Sequence, residues 1–166
     1  MDHKKSLSWV LLGAVVCSVS ALAVAASDEE TLAVEMIEAA AYKGYTGAQV
    51  ALGVVHNLGL LGTHQDARLA NRWFQRAAEQ GNADAQHNLA YNYYMGKGVP
   101  RNPSEAFKWD RRAAESGSRL AMNSLALAYE AGEGVTQDNA EAQRWLERAA
   151  RARDGVVLRS LSEAYK

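Results

Sequence analysis

Three histidines outside the apolar N-terminus could support catalysis or metal binding: His56, His64 and His87. No two of them stand four residues apart, so the local spacing of a zinc site is absent from the sequence. No G-x-S-x-G motif presents a serine nucleophile, and no G-K-[ST] motif follows a glycine-rich turn. The sequence therefore predicts no catalytic residues, no metal site and no cofactor, and the chain is not expected to be an enzyme.

Composition excludes further classes of protein. The chain has 166 residues, which suits one domain, and its formal net charge is -1. Charged residues make up 22% and hydrophobic residues 48%, values that fit a globular protein and not a disordered tail. A nucleic-acid binder usually carries a basic excess, so no nucleic-acid partner is expected.

The first 26 residues have the three-part layout of a secretory signal peptide. Lys4 and Lys5 precede an apolar run, and Ala23-Val24-Ala25 provides small residues for cleavage. We expect removal of residues 1–26 and a periplasmic or secreted mature chain that does not insert into the membrane. The alternative is an uncleaved segment that anchors the chain to the inner membrane, since about 20 apolar residues can span a bilayer.

An internal repeat organises the rest of the chain. Trp73, Trp109 and Trp145 are 36 residues apart each time. The triplet of Ala85, Leu89 and Tyr93, ahead of Trp109, recurs 36 residues later as Ala121, Leu125 and Tyr129, ahead of Trp145. Self-similarity at a fixed period of this length is typical of solenoid proteins.

The residue pattern predicts two helices in each unit. Leu89 and Tyr93 share a helical face, and Gly96 then favours a helix end. Asn102 is an N-cap type with Glu105 three residues later, which predicts a capping box, and Asp138 with Glu141 repeats that pattern.

Stacked helix pairs can bury apolar faces that one pair alone cannot. The sequence therefore predicts an all-α fold, a right-handed α-solenoid of antiparallel helix pairs with about three repeats and a half repeat at each end. The predicted boundaries are a capping half repeat over 27–47, repeats over 48–84, 85–120 and 121–156, and a C-terminal half repeat over 157–166. The predicted core comprises Trp73, Trp109, Trp145, Leu89, Leu125, Tyr93 and Tyr129.

The motif A-x-x-x-L-x-x-x-Y-x-x-G-x-G-V, followed by D/N-x-x-x-A-x-x-W-x-x-x-A-A-x-x-G, resembles the Sel1-like repeat, which is related to tetratricopeptide repeats. It stands here from Ala85 to Gly117. The first unit departs from it, with His56 in place of tyrosine, Leu61 in place of the second turn glycine and Gly62 in place of valine.

This resemblance implies a non-enzymatic interaction scaffold of the bacterial envelope, a monomer that binds another protein on its concave surface. One alternative is an immunity protein that neutralises a secreted toxin. A second is an enzyme acting on cell-wall or β-lactam substrates, but the paired cysteines of the cysteine-rich branch linked to β-lactams are absent, since Cys17 is the only cysteine.

In such a solenoid the first helix of each unit lines the concave side, so residues one turn from the core positions face the groove. The predicted binding residues are His87, Tyr91 and Tyr94, then Asn123, Leu127 and Glu130, and in the first unit Val50, Val54 and Asn57. A separate basic cluster comprises Arg144, Arg148, Arg151, Arg153 and Arg159. Because glutamates are interleaved there, we interpret it as a solvated face, with an acidic partner or anionic lipid as the alternative.

Overall fold

The structure is a computed structural model that describes residues 28–164, with side chains described for residues 28–152. All regular secondary structure in this part is helical. The helices are α1 over 28–42, α2 (Thr46–Leu58), α3 (Ala67–Glu79), α4 (Ala83–Met95), α5 (Pro103–Glu115), α6 (Arg119–Ala131) and α7 (Asn139–Ala164). The predicted signal peptide lies outside the described residues, as does the end of the predicted C-terminal half repeat.

The helices pair in chain order: α2 with α3, α4 with α5, and α6 with α7. Each pair then packs on the next one, through contacts of α3 with α4 and of α5 with α6. This arrangement confirms the predicted all-α solenoid of about three repeats. The first helices of the pairs begin at Thr46, Ala83 and Arg119, two residues before the predicted boundaries.

The earlier start of α4 and α6 has a local cause. Asn82 accepts a hydrogen bond from the backbone N–H of Ala85 at 2.9 Å, and Ser118 accepts one from Ala121 at 3.4 Å. These side chains satisfy N–H groups of the first turn that have no partner within the helix. The cap position, and not the first core alanine, therefore sets where the second and third units begin.

Trp73, Trp109 and Trp145 each belong to one of three successive core clusters. Trp73, Trp109 and Trp145 are 4%, 6% and 5% exposed. Trp73 packs with Ala41 and Leu52, whereas Trp109 and Trp145 belong to the two clusters that follow along the solenoid. Leu89 and Leu125 are fully buried, and Tyr93 and Tyr129 pack against the clusters while half-buried. An arginine lies over each tryptophan ring at 4.3–4.7 Å, namely Arg76, Arg112 and Arg148.

The second glycine of each turn brings neighbouring repeats into backbone contact. Gly98 and Gly134 have φ of +67° and +77°, and a Cβ at either position would lie within 2.6 Å of backbone atoms of the preceding pair. In the first unit Leu61 adopts the same left-handed conformation, with φ of +52°. The turn therefore keeps its geometry in the first unit although the glycine is missing.

The predicted capping box forms only in part. Asn102 and Asp138 do accept hydrogen bonds from the first turns of α5 and α7. Their own backbone N–H groups, however, donate to the carbonyl oxygens of Tyr93 at 2.8 Å and Tyr129 at 2.9 Å. Glu105 and Glu141 pair instead with Lys108 and Arg144.

The same backbone bond joins the first pair, where the N–H of Asp66 donates to the carbonyl oxygen of His56 at 2.8 Å. Because the bond uses only main-chain atoms, it forms with histidine at this position as it does with tyrosine.

The C-terminal end differs from the predicted half repeat. α7 continues as one helix to Ala164, without a turn before residue 157. The two earlier units close at Gly81 and Gly117, both with positive φ, whereas Arg153 stands at the equivalent position. Arginine does not favour the left-handed conformation, so the sequence lacks the residue that ends the helix. None of the helices in the described part is both long and apolar enough to cross a membrane.

Candidate functional site

A groove of about 460 Å³ opens between α4 and α6, with α5 at its base. Its lining is mainly apolar and aromatic. Tyr91 and Leu127 are 44% and 65% exposed, and Tyr94 and Met95 are also exposed. The lining also includes His87, Asp110, Ser124, Glu130 and Glu133.

A polar cluster around the buried carboxylate of Asp110 forms the floor of this groove. The carboxylate of Asp110, which is 8% exposed, lies 2.7 Å from Nδ1 of His87. The side chain of Ser124 also hydrogen-bonds to Asp110. The three residues come from α5, α4 and α6 respectively, so the cluster joins two successive units.

Burial in this cluster raises the pKa of Asp110 above its ordinary value, and the hydrogen bonds from His87 and Ser124 offset the rise in part. The order of the three groups determines their chemistry. A serine nucleophile needs the histidine as its base, with the carboxylate behind the histidine. Here the carboxylate lies in the middle and the serine bonds to it, so this arrangement does not activate Ser124.

The rim of the groove carries a second set of polar contacts. The hydroxyl of Tyr94 donates a hydrogen bond to Glu133, which also pairs with Arg101 at 3.0 Å. The bond to Glu133 raises the pKa of the Tyr94 hydroxyl, and the same bond lowers the pKa of the Glu133 carboxyl. The Lys97 ammonium lies 5.0 Å from the ring centre of Tyr91.

Five of the nine predicted binding residues line the groove: His87, Tyr91, Tyr94, Leu127 and Glu130. The other four lie elsewhere. Asn123 does not line the groove, and Val50 and Val54 pack against the core cluster of α3, α4 and α5. The backbone carbonyl oxygen of Asn57 accepts a hydrogen bond from the side chain of Gln65 at 2.8 Å, next to the first turn.

Sequence reasoning missed Asp110 and Ser124. A signal for Asp110 was present, because the 36-residue period places it in register with Phe74 and Leu146. Phe74 is fully buried, so this position is apolar in the neighbouring unit. A carboxylate at a core-facing position of the repeat is the kind of exception that marks a site.

The basic cluster is largely paired with acids of its own helix. Arg144 lies 2.8 Å from Glu141, Arg151 lies 3.7 Å from Glu147, and Arg148 stacks on Trp145. These contacts fit a solvated helix face. The side chains of Arg153 and Arg159 lie outside the described part.

No group of three histidine, cysteine, aspartate or glutamate side chains in the described residues is placed to hold a metal ion. The histidines illustrate this. His87 is engaged by Asp110, His56 is buried at the end of α2, and His64 is exposed in the following turn.

The family model of the Sel1 repeat matches residues 46–82, 83–118 and 119–154, which coincide with the three helix pairs. The chain belongs to the Sel1 repeat family. Sel1 repeat proteins are generally scaffolds for protein–protein interaction and are typically non-enzymatic. No curated protein matches the chain significantly.

Solved structures support the Sel1 repeat fold. A Sel1 repeat protein from Oxalobacter formigenes is 32% identical with a TM-score of 0.68, and the match covers 70% of this chain and 88% of that one. A protective antigen of uropathogenic Escherichia coli is 38% identical with a TM-score of 0.72, over 74% of this chain. That match spans only 26% of the antigen. Cysteine-rich protein B of Helicobacter pylori shares the fold at 18% identity, with a TM-score of 0.59, over 76% of this chain and 90% of that one.

Within the second Sel1 repeat, replacing Asp110 by leucine, the residue of the third repeat, is expected to stabilise the protein. We expect the free energy of unfolding at pH 7 to rise by about 1 kcal/mol, because the cost of burying the carboxylate is removed and the half-buried His87 can hydrogen-bond to water instead. Denaturant titrations of both proteins measure this, with the exposed Glu115→Gln change as a control expected within about 0.5 kcal/mol of wild type.

The gain in the free energy of unfolding of Asp110→Leu should depend on pH. Because the pKa of Asp110 is raised in the folded state, its contribution is most favourable below the ordinary value of 3.8 and is lost as pH rises through the raised pKa. The difference between Asp110→Leu and wild type should therefore shrink as the pH falls through that window. A loss of stability in Asp110→Leu at pH 7 would show that the contact with His87 outweighs the cost of burial.

Proposed function

We propose that the mature chain is a non-enzymatic periplasmic scaffold that binds a partner protein in the groove between α4 and α6. The observation that carries the proposal is the exposed apolar surface inside a concave site. Tyr91, Tyr94, Met95 and Leu127 leave large side chains open to solvent there. Tyrosines are enriched among the few residues that contribute most of the affinity in protein interfaces.

Two further observations support binding over catalysis. The groove has a preformed shape, since its floor and rim are held by Asp110 with His87 and by Glu133 with Arg101. The Ser124, Asp110 and His87 side chains are also in an order that leaves the serine unactivated. A rigid groove with exposed anchors loses little conformational entropy when it binds.

A Tyr91→Ala, Leu127→Ala double variant is expected to stay folded and to lose its partner. Both side chains are exposed, so circular dichroism should show a melting temperature within a few degrees of wild type. Pull-down from envelope extract, read by mass spectrometry, should show at least about tenfold less of the specifically captured protein, in line with the loss of two anchors.

The matched control is a Leu32→Ala, Tyr45→Ala double variant, which removes the same two side-chain types from exposed positions outside the groove. It should capture as much partner as wild type. Full capture by the groove variant would place the binding surface elsewhere. The identity of the captured protein separates a partner in an envelope assembly from a toxin.

The proposed periplasmic location rests on residues 1–26, and we propose that cleavage leaves a mature chain beginning at Ala26 or Ser27. The Escherichia coli relative is described as a protective antigen, which supports an exported location for this chain. Intact mass of the protein from a periplasmic fraction measures the cleavage. A chain that retains Met1 in the cytoplasmic fraction would contradict the proposed location.

A further inference from the structure

We propose that the partner enters the groove with a basic side chain, a lysine or arginine of an exposed segment, whose charge lies near Asp110 and Glu130. The inference rests on the proposed function, because it names the chemistry of the segment that the groove would hold.

Packing does not require a carboxylate on the groove floor. The equivalent positions hold Phe74 in the first repeat and Leu146 in the third. Burying a carboxylate costs free energy that an apolar side chain would not. A cation in the groove would offset that cost, since it favours the ionised form of Asp110.

The charge of the lining also favours a cation. Among the described side chains, the groove is lined by three carboxylates, Asp110, Glu130 and Glu133, and by no lysine or arginine. Glu133 pairs with Arg101 on the rim and Asp110 contacts His87, but Glu130 makes no ion pair within the described residues. The lining is therefore complementary to a positive charge and unfavourable to an acidic segment.

The shape and acceptor capacity of the groove suit a long basic side chain. Tyr91 and Leu127 offer apolar surface for the aliphatic stem of lysine or arginine. A carboxylate has about four acceptor sites, and His87 and Ser124 use two of those on Asp110. The rim rings are also suited to cations, since Lys97 and Arg101 lie 5.0 and 5.3 Å from the rings of Tyr91 and Tyr94.

The test uses the mature chain and an immobilised positional-scanning library of acetylated hexapeptide amides. Each position in turn is fixed as lysine, arginine, norleucine or glutamate, and bound protein is measured. We expect lysine or arginine pools to bind at least about tenfold more protein than norleucine pools, with a preference that declines as salt is added. Glutamate pools should bind least.

Three variants assign the preference to the groove. Asp110→Asn and, independently, the exposed Glu130→Gln should each reduce the ratio of protein bound by basic pools to protein bound by norleucine pools. The control Glu115→Gln removes an exposed carboxylate of α5 outside the groove and should leave the preference unchanged.

Failures of the two proposals are distinguishable. If wild type binds norleucine or glutamate pools as well as basic pools, and the Tyr91→Ala, Leu127→Ala variant binds none, the groove is a binding site but the basic partner is wrong. If wild type prefers basic pools and neither Asp110→Asn nor Glu130→Gln changes that preference, these two carboxylates do not cause the preference. If no pool binds wild type better than the groove variant, both proposals fail.

Discussion

Replacing Trp109 by alanine is expected to lower the free energy of unfolding by about 3–5 kcal/mol, a large part of the stability of a domain of this size. Trp109 is 6% exposed and belongs to the core cluster built from α3, α4 and α5. Its removal leaves a cavity between two helix pairs and takes the ring away from Arg112. Chemical denaturation of both proteins measures the loss.

The exposed Tyr45→Ala change is the control and should shift stability by less than about 0.5 kcal/mol. Trp145→Ala should cost less than Trp109→Ala in global unfolding although the two rings are equally buried. The reason is that Trp145 belongs to the last matched repeat, where loss of one nearest-neighbour interface frays the end of the array. Hydrogen exchange should then show lost protection confined to α6 and α7. Negligible losses in both variants would contradict the role of the tryptophans in the core.

The change Gly134→Ala is expected to cost at least about 3 kcal/mol, for two separate reasons. The φ of +77° is a conformation that alanine adopts only with strain. The added Cβ would also lie 2.3 Å from the carbonyl oxygen of Pro103, at the start of α5, so one of the two backbones must move. Thermal and denaturant unfolding measure the loss.

Gly117→Ala separates the two costs. Gly117 has φ of +95°, but a Cβ added there would meet no atom within 4 Å, so only the conformational cost of about 1–2 kcal/mol applies. The difference between the two variants then measures the contact between the turn and α5. Equal losses at both positions would show that this close approach contributes nothing to stability.

The groove shows how a repeat fold acquires a distinct site. The floor position is apolar in the first and third repeats and carries Asp110 in the second. Two variants therefore test the two effects of this carboxylate. Asp110→Leu should gain stability, and Asp110→Asn should lose selectivity for basic peptides. A stabilised variant that no longer distinguishes basic peptides would link the cost of the buried carboxylate to binding.

The sequence by itself determined the solenoid, because the features that define it are local and recur. The spacing of Leu89 and Tyr93 predicts a helix face, glycines such as Gly96 end helices, and the 36-residue period repeats the pair. In such a fold each unit contacts only its neighbours, so local pattern and tertiary structure coincide. The same reasoning placed Tyr91 and Leu127 on the groove.

Only the tertiary structure decided the chemistry of that groove. His87, Asp110 and Ser124 come from three helices, and their order, with the carboxylate in the middle, depends on how far each helix is rotated within the stack. Glu105 could bond either to the backbone N–H of Asn102 or to the side chain of Lys108. It pairs with Lys108, since the N–H of Asn102 bonds to the carbonyl oxygen of Tyr93 in the previous helix. Periodicity specifies which face a residue occupies, whereas the distances and partners of polar atoms depend on contacts between elements far apart in the chain.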